Sequence, residues 1–244
     1  MDVLFNVLEL CGFTRSSIRV GNPVVILAVP GAGKTTFLRR LLLEDTRFIG
    51  CTFGIPDPHG VTGRHILDAR TLGPVEEGKL VLVDEFQRGD YKALNPYAIL
   101  GDVAQFCLAP NLVIEANWFK SSSHRVPSVV CDLLNTLGFS ITGSSVGELH
   151  ILGLFESDLR GTVITYDPEI CQLLTDHTCE HTSLEACAGV EFEEVSLLLN
   201  GPVIPAGDRA KFYLAATRAS RVLNIFLPII SELSIAGHAS DSTT

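Results

Sequence analysis

Residues 24–36 read Val24-Val25-Ile26-Leu27-Ala28-Val29-Pro30-Gly31-Ala32-Gly33-Lys34-Thr35-Thr36. An apolar run of strand length, without polar alternation, passes into a glycine-containing loop that closes on Gly-Lys-Thr. Helical periodicity follows at once, from Thr35 to Leu43. In that order a strand, a loop and a helix make an anion cradle, because successive backbone N–H groups and the helix N-terminus converge on one place. Glycines let the backbone approach closely and take positive φ. Pro30, Gly31, Ala32, Gly33, Lys34, Thr35 and Thr36 are therefore expected to bind the phosphates of a nucleotide, with Lys34 reaching the β- and γ-phosphates and the Thr35 hydroxyl on Mg²⁺. The usual first glycine of this pattern is Ala28 here, which is harmless where φ is negative. The alternative is a chance Gly-Lys-Thr in a loop, and the flanking strand and helix argue against it.

Outward from this loop, a second apolar run ends in acids: Leu80-Val81-Leu82-Val83-Asp84-Glu85-Phe86-Gln87. Carboxylates at the C-terminal tip of a parallel strand lie at the edge where such sheets bind ligands. Asp84 is expected to hold Mg²⁺, and Glu85 to orient and deprotonate an attacking water. Taken alone, Asp-Glu after a strand also fits a solvated strand end.

Further runs at Leu112–Glu115, Gly161–Tyr166 and Val222–Leu227 alternate with helical stretches at Pro127–Leu137 and Asp208–Ala219. This is the pattern of parallel sheets covered by helices, an α/β class. The polar stretch Phe119–His124 is expected to be a crossing between two lobes, residues 1–120 and 121–230, with residues 231–244 a frayed tail. Near the start, Val3–Leu10 reads as an amphipathic helix that packs on the first lobe or meets a partner.

With 244 residues and 46% hydrophobic content, the chain is long and apolar enough for a sizeable core, which excludes intrinsic disorder. No apolar stretch approaches the roughly 20 residues of a membrane span, and no basic residue precedes the first apolar one as in a signal peptide. Net charge is −10, unevenly placed: 12 basic and 13 acidic residues in 1–120, but 6 and 15 in 121–244. A histone-like hold on nucleic acid by bulk charge is excluded, so any contact must use a local, salt-sensitive groove. Seven scattered cysteines with no secretory signal suit free thiols. Cys171, His177, Cys179, His181 and Cys187 are legitimate zinc ligands, yet lack the spacing that fixes a tetrahedron, so buried thiols and surface imidazoles are the expectation.

Taken together, Ala28–Thr36, Val83-Asp84-Glu85-Phe86-Gln87 and Gly101-Asp102-Val103-Ala104-Gln105-Phe106 resemble helicase motifs I, II and III of the superfamily 1 helicases of positive-strand RNA viruses. Ser123-His124-Arg125 resembles motif IV, Gly189–Val195 motif V, and Ala215-Ala216-Thr217-Arg218-Ala219 motif VI. A short chain carrying this series is similar to the triple gene block 1 movement proteins of potexviruses and carlaviruses. The resemblance implies two RecA-like lobes, Mg²⁺ and ATP as cofactors, Gln105 as γ-phosphate sensor, and Arg125 and Arg218 as arginine fingers. It also implies RNA contacts near Thr52-Phe53-Gly54 and at Phe192, although each aromatic, like Trp118, fits a core position as well. Glu191 departs from the motif, which usually has a hydroxyl residue there, and a carboxylate would repel RNA phosphate.

The resemblance further implies RNA-stimulated ATP hydrolysis, cell-to-cell transport of single-stranded viral RNA in plants, and suppression of silencing. The implied partners are coat protein, the small membrane movement proteins of the same gene block, host silencing proteins and further copies of the chain. The implied location is the host cytoplasm, with recruitment to plasmodesmata. A rival reading of the same residues is a non-catalytic assembly and binding protein whose nucleotide site is structural. The mean hydropathy of +0.31, the acidic second half and Glu191 leave room for it.

Overall fold

The computed structural model describes residues 2–58, 64–102, 114–187 and 189–236. It divides after Ser122 into two compact units.

The first unit contains α1 (Asp2–Leu10), β1 (Thr14–Arg15), β2 (Val24–Ala28), α2 (Lys34–Glu44), β3 (Phe48–Thr52), β4 (Leu67–Asp68), β5 (Leu80–Asp84), β6 (Ala98–Gly101) and β7 (Trp118–Lys120). They form a seven-stranded sheet of order β1-β7-β2-β6-β5-β3-β4. Its ladders are parallel except at the β1–β7 edge. The central strands are the apolar runs: Ile26, Leu82, Val83, Ala98 and Leu100 are wholly buried, as strands covered on both faces must be. Helix α2 buries Phe37, Leu38, Leu41 and Leu42, one stripe at helical spacing. A Cβ on Gly50 of β3 would lie 3.1 Å from Leu42 Cδ1, so this helix lies directly on the sheet. Helix α1 packs within this unit through Leu4, Val7 and Leu8, while Leu10 faces solvent.

The second unit follows with β8 (Ser122–Pro127), α3 (Ser128–Thr136), β9 (Thr142–Ser145), β10 (Glu148–Gly153), β11 (Thr162–Ile164), α4 (Pro168–Asp176), α5 (Leu184–Cys187), β12 (Phe192–Leu198), β13 (Val203–Ile204), α6 (Arg209–Ala216), β14 (Ala219–Leu227) and β15 (Ser234–Ile235). Its main sheet is parallel, in the order β10-β14-β12-β11. Helix ends follow local chemistry. Asp167 caps α4 by accepting from Glu169 N at 2.9 Å and Ile170 N at 3.2 Å, with Pro168 at the first turn. Gly138, at φ 78°, closes α3 as expected from its place after the apolar run.

Three readings change. Leu112 and Val113 lie outside the described residues, and Ile114 and Glu115 are not in a strand; the strand here is β7. Asn117 sets this register: its N–H donates to Val25 O at 2.9 Å, and its Oδ1 accepts from Val25 N at 2.9 Å. The polar crossing at Phe119–His124 is largely strand. Phe119 and Lys120 pair with β2, and Ser123 of β8 is buried because its hydroxyl accepts from Arg125 N and Val126 N. Lastly, part of the expected tail is packed: Ile235 is buried and β15 pairs with β13.

At Gly161, φ is 63° and a Cβ would stand 2.2 Å from Glu194 O. Gly161→Ala is expected to destabilise the protein by about 2–3 kcal/mol in urea unfolding. An unchanged midpoint would show that β11 and β12 do not approach this closely.

Candidate nucleotide site

Strand β2 ends at Ala28, and the buried Val29 and Pro30 carry the chain into the loop. Ala32 N bonds back to Val29 O at 3.2 Å, which curls the loop. Gly31 and Gly33 adopt φ of 72° and 91°. Nothing stands within 4 Å of a Cβ built on Gly33, so its backbone angle, not crowding, calls for glycine there. Helix α2 starts at Lys34 with no side chain capping it, so the N–H groups of its first turn keep the positive end of the helix available to an anion. Lys34 Nζ donates to Ala28 O at 3.3 Å, a long bond to a neutral acceptor that a phosphate oxygen would readily replace. Thr35 and Thr36 are exposed on that first turn.

Asp84 ends β5. It is 6% exposed, and its Oδ1 is buried without a hydrogen-bond partner among the described residues. Burial first, then the adjacent Glu85, push its carboxyl up to about 7, against the opposing pull of Lys34. A buried carboxylate oxygen with no donor among the described residues, within the electrostatic reach of the Lys34 ammonium, is what a Mg²⁺ ion would complete, so the chemistry of the site fits that metal.

Glu85 sits in the left-handed region at φ 51°, where a short 3₁₀ turn, Phe86–Arg88, begins. The stem of its side chain rests on Gly54, whose Cβ would stand 3.3 Å from Glu85 Cγ. Gly54 N in turn donates to Thr52 Oγ1 at 2.9 Å, and Phe53 N to Asp84 O at 3.1 Å. The segment Thr52-Phe53-Gly54 is therefore tied to the two acids. Phe53 itself is a core side chain, packed so tightly that a Cβ on Gly89 would meet its ring at 2.3 Å. Trp118 is also core, its ring tilted by 30° against that of Phe5 with centroids 5.6 Å apart. Phe192 is half-buried.

Between β2 and β5 lies β6, which places Gly101 and the buried Asp102 between phosphate loop and acids. This interposed strand is not foreseen from the sequence, because pairing order is a long-range property. Gln105 lies outside the described residues.

In the second unit, motifs IV, V and VI meet. Arg125 Nη1 pairs with Glu191 Oε2 at 3.2 Å, and Arg125 Nη2 donates to Thr217 O at 3.4 Å. Arg218, 3% exposed, donates from Nε to Leu214 O at 3.1 Å and from Nη1 to Val190 O at 3.3 Å. Both guanidiniums therefore already hold partners within their own unit. The carboxylate at Glu191, out of place for a phosphate contact, has Arg125 as its counter-charge.

A cavity of about 780 Å³ also lies in this unit, lined by Glu148, Glu191, Glu193 and Glu194 among others. Its four carboxylates outnumber the guanidiniums of Arg160 and Arg221, the latter already paired with Glu193, which makes it a poor seat for phosphates, and it shares no residue with the phosphate loop. Cys187 is buried, Cys171 and Cys179 half-buried, and no group of three or more His, Cys, Asp or Glu able to hold a metal occurs among the described residues. Nor is any described helix long and apolar enough to cross a membrane.

Residues 24–227 match the viral superfamily 1 RNA helicase core domain. The chain belongs to that family. This helicase-family chain is 36% identical over 228 residues to the movement and silencing protein TGBp1 of Poplar mosaic virus, covering 93% of the one and 97% of the other. It is 35% identical to TGBp1 of Chrysanthemum virus B, covering 96% of this chain and 100% of that relative. It is 33% identical to TGBp1 of Potato virus X strain X3, covering 90% and 96%. These values place it among the TGBp1 movement and silencing proteins. Among solved structures it superposes on Arterivirus nonstructural protein 10, a helicase in complex with DNA, with a TM-score of 0.59 at 18% identity. That match covers 85% of this chain and 62% of the Arterivirus chain, and supports the superfamily 1 helicase fold.

Proposed function

We propose that this chain is an ATP-dependent RNA helicase or NTPase, stimulated by single-stranded RNA, which remodels viral RNA and transports it between plant cells, and which also suppresses RNA silencing. The observation that carries the enzymatic part is the uncapped, doubly glycine-turned phosphate loop facing an orphaned buried carboxylate at Asp84. When bound, Mg²⁺ neutralises charge on the phosphates.

The chain's own residues do the rest. The loop from Pro30 to Thr36 binds the α- and β-phosphates of ATP, and Lys34 exchanges its Ala28 bond for the β- and γ-phosphate oxygens. Thr35 and Asp84 hold the metal. Glu85 accepts a proton from water as the water oxygen bonds to the γ-phosphorus and the β–γ bridging bond breaks, leaving ADP and phosphate. Gln105 as γ-phosphate sensor, and Arg125 and Arg218 as stabilisers of the transferring phosphoryl, stand on the motif resemblance. The proposed partners are single-stranded viral RNA, coat protein, the small membrane movement proteins of the gene block, host silencing proteins and other copies of the chain. The proposed location is the host cytoplasm with recruitment to plasmodesmata.

A second reading has one observation in its favour: Arg125 and Arg218 are already bonded within the second unit. In that reading the nucleotide stabilises the fold, and the protein acts by self-association and by binding RNA and host proteins. Phosphate release from ATP by the purified protein, with and without single-stranded RNA, separates the two. RNA-stimulated turnover that falls roughly 100-fold in Lys34→Ala supports the enzyme. ATP binding with no turnover above Lys34→Ala supports the assembly protein.

A further inference from the structure

Glu85 is a general-base candidate in an unusual setting. Its backbone is left-handed, its side chain is half-buried, and its stem lies on a glycine. A carboxylate on two rotatable side-chain bonds beyond Cβ samples several rotamers unless something holds its end. Gln87 does so. Its Nε2 donates to Glu85 Oε2 at 3.0 Å across the first turn of the 3₁₀ segment. An ionised carboxylate only accepts, so the amide must turn its NH₂ towards Glu85 and its oxygen away.

The amide oxygen faces the end of β6. A Cβ on Gly101 would stand 2.9 Å from Gln87 Oε1 and 2.7 Å from Phe86 Cε1. Gly101 is thus the residue that leaves room both for the amide and for the wholly buried ring of Phe86. Phe86 is held in turn against Tyr91, edge to face, with centroids 5.2 Å apart. Gln87 therefore lies beside Gly101 at the end of β6 and turns an amide N–H towards Glu85. Directly after β6 comes the buried Asp102, at the point between phosphate loop and acids.

We infer that Gln87 is a positioning residue for Glu85: its amide fixes the carboxylate in the rotamer that accepts the proton of the attacking water. The inference rests on the hydrolysis reading above. A group one ångström out of place costs about 100-fold in rate, so holding the rotamer has a large effect on kcat and little on nucleotide binding.

The test compares wild type with Gln87→Glu, Gln87→Met and Gln87→Ala in the full chain. Steady-state phosphate release is read beside the binding of a fluorescent, non-hydrolysable ATP analogue with Mg²⁺. Met keeps the length of the side chain and removes its donor without adding charge, so a packing role tolerates it and a positioning role does not; Glu replaces the donor by a carboxylate that repels Glu85, the reverse of what positioning needs. The expected result is a kcat lower by about 10- to 100-fold in all three, with analogue affinity within about threefold of wild type. Should Gln87→Ala not fold, as judged by its thermal midpoint, Gln87→Met carries the comparison. Wild-type kcat in folded Gln87→Met overturns the inference alone. Absence of any wild-type turnover above Glu85→Gln overturns the hydrolysis reading, and this inference with it.

Discussion

Glu85→Gln is expected to lower kcat for ATP hydrolysis by about 10²- to 10⁴-fold, the range that a positioned general base contributes. The substitution keeps the length and shape of the side chain, so its stem still lies on Gly54. What it removes is the proton acceptor. Binding of Mg²⁺–ATP is expected to change by less than about threefold, because phosphate contacts come from the loop and α2 rather than from residue 85. Phosphate release and nucleotide binding, measured on the same preparation, give both numbers. A variant that retains a third or more of wild-type kcat would remove Glu85 from the chemistry.

Asp84 should produce the other large effect, in stability as well as rate. Burial raises its folded-state carboxyl from 3.8 to about 7. Between those values the unfolded chain has released the proton while the folded chain retains it, so folding binds a proton and stability falls as pH rises. The contribution is complete below about pH 4 and lost as pH passes about 7. Metal-free protein is therefore expected to lose on the order of 4 kcal/mol between pH 4 and 7.5 through this group. Asp84→Asn should flatten that slope and be the more stable protein at pH 7.5 in EDTA. Added Mg²⁺ with ADP should stabilise wild type much more than the variant, and ATP turnover in the variant should fall by about 100-fold or more. Urea unfolding at several pH values, with EDTA or Mg²⁺, reads all but the last of these. An unchanged pH slope in Asp84→Asn would place the titration elsewhere.

The phosphate loop was legible in the sequence because it is a local solution: a few contiguous residues fix its backbone, its glycines and its helix start. The acids at Asp84 and Glu85 were legible for a similar reason, since the apolar run through Leu80–Val83 leads straight to them. Long-range pairing hid the rest. Strand β10, with Glu148 and His150 in it, and the polar β8 do not read as strands, because half of each faces solvent and only a partner strand justifies the extended backbone. The place of β6 between β2 and β5 follows from no single segment. The Arg125–Glu191 pair joins residues far apart in the chain, so the arginine was visible and its counter-charge was not. Gln87 was in plain view beside the acids, but its role depends on a left-handed turn that places its amide against Glu85.

That turn also bears on how the chain could evolve. A non-glycine residue at φ 51° costs on the order of 1 kcal/mol that glycine there would recover. Drift towards Gly at position 85 is therefore rewarded in foldedness and opposed only where the carboxylate is needed. A lineage that used this protein solely as an assembly or binding scaffold would have every thermodynamic reason to lose Glu85. Keeping an acid in so unfavourable a conformation is a standing trade of stability for chemistry.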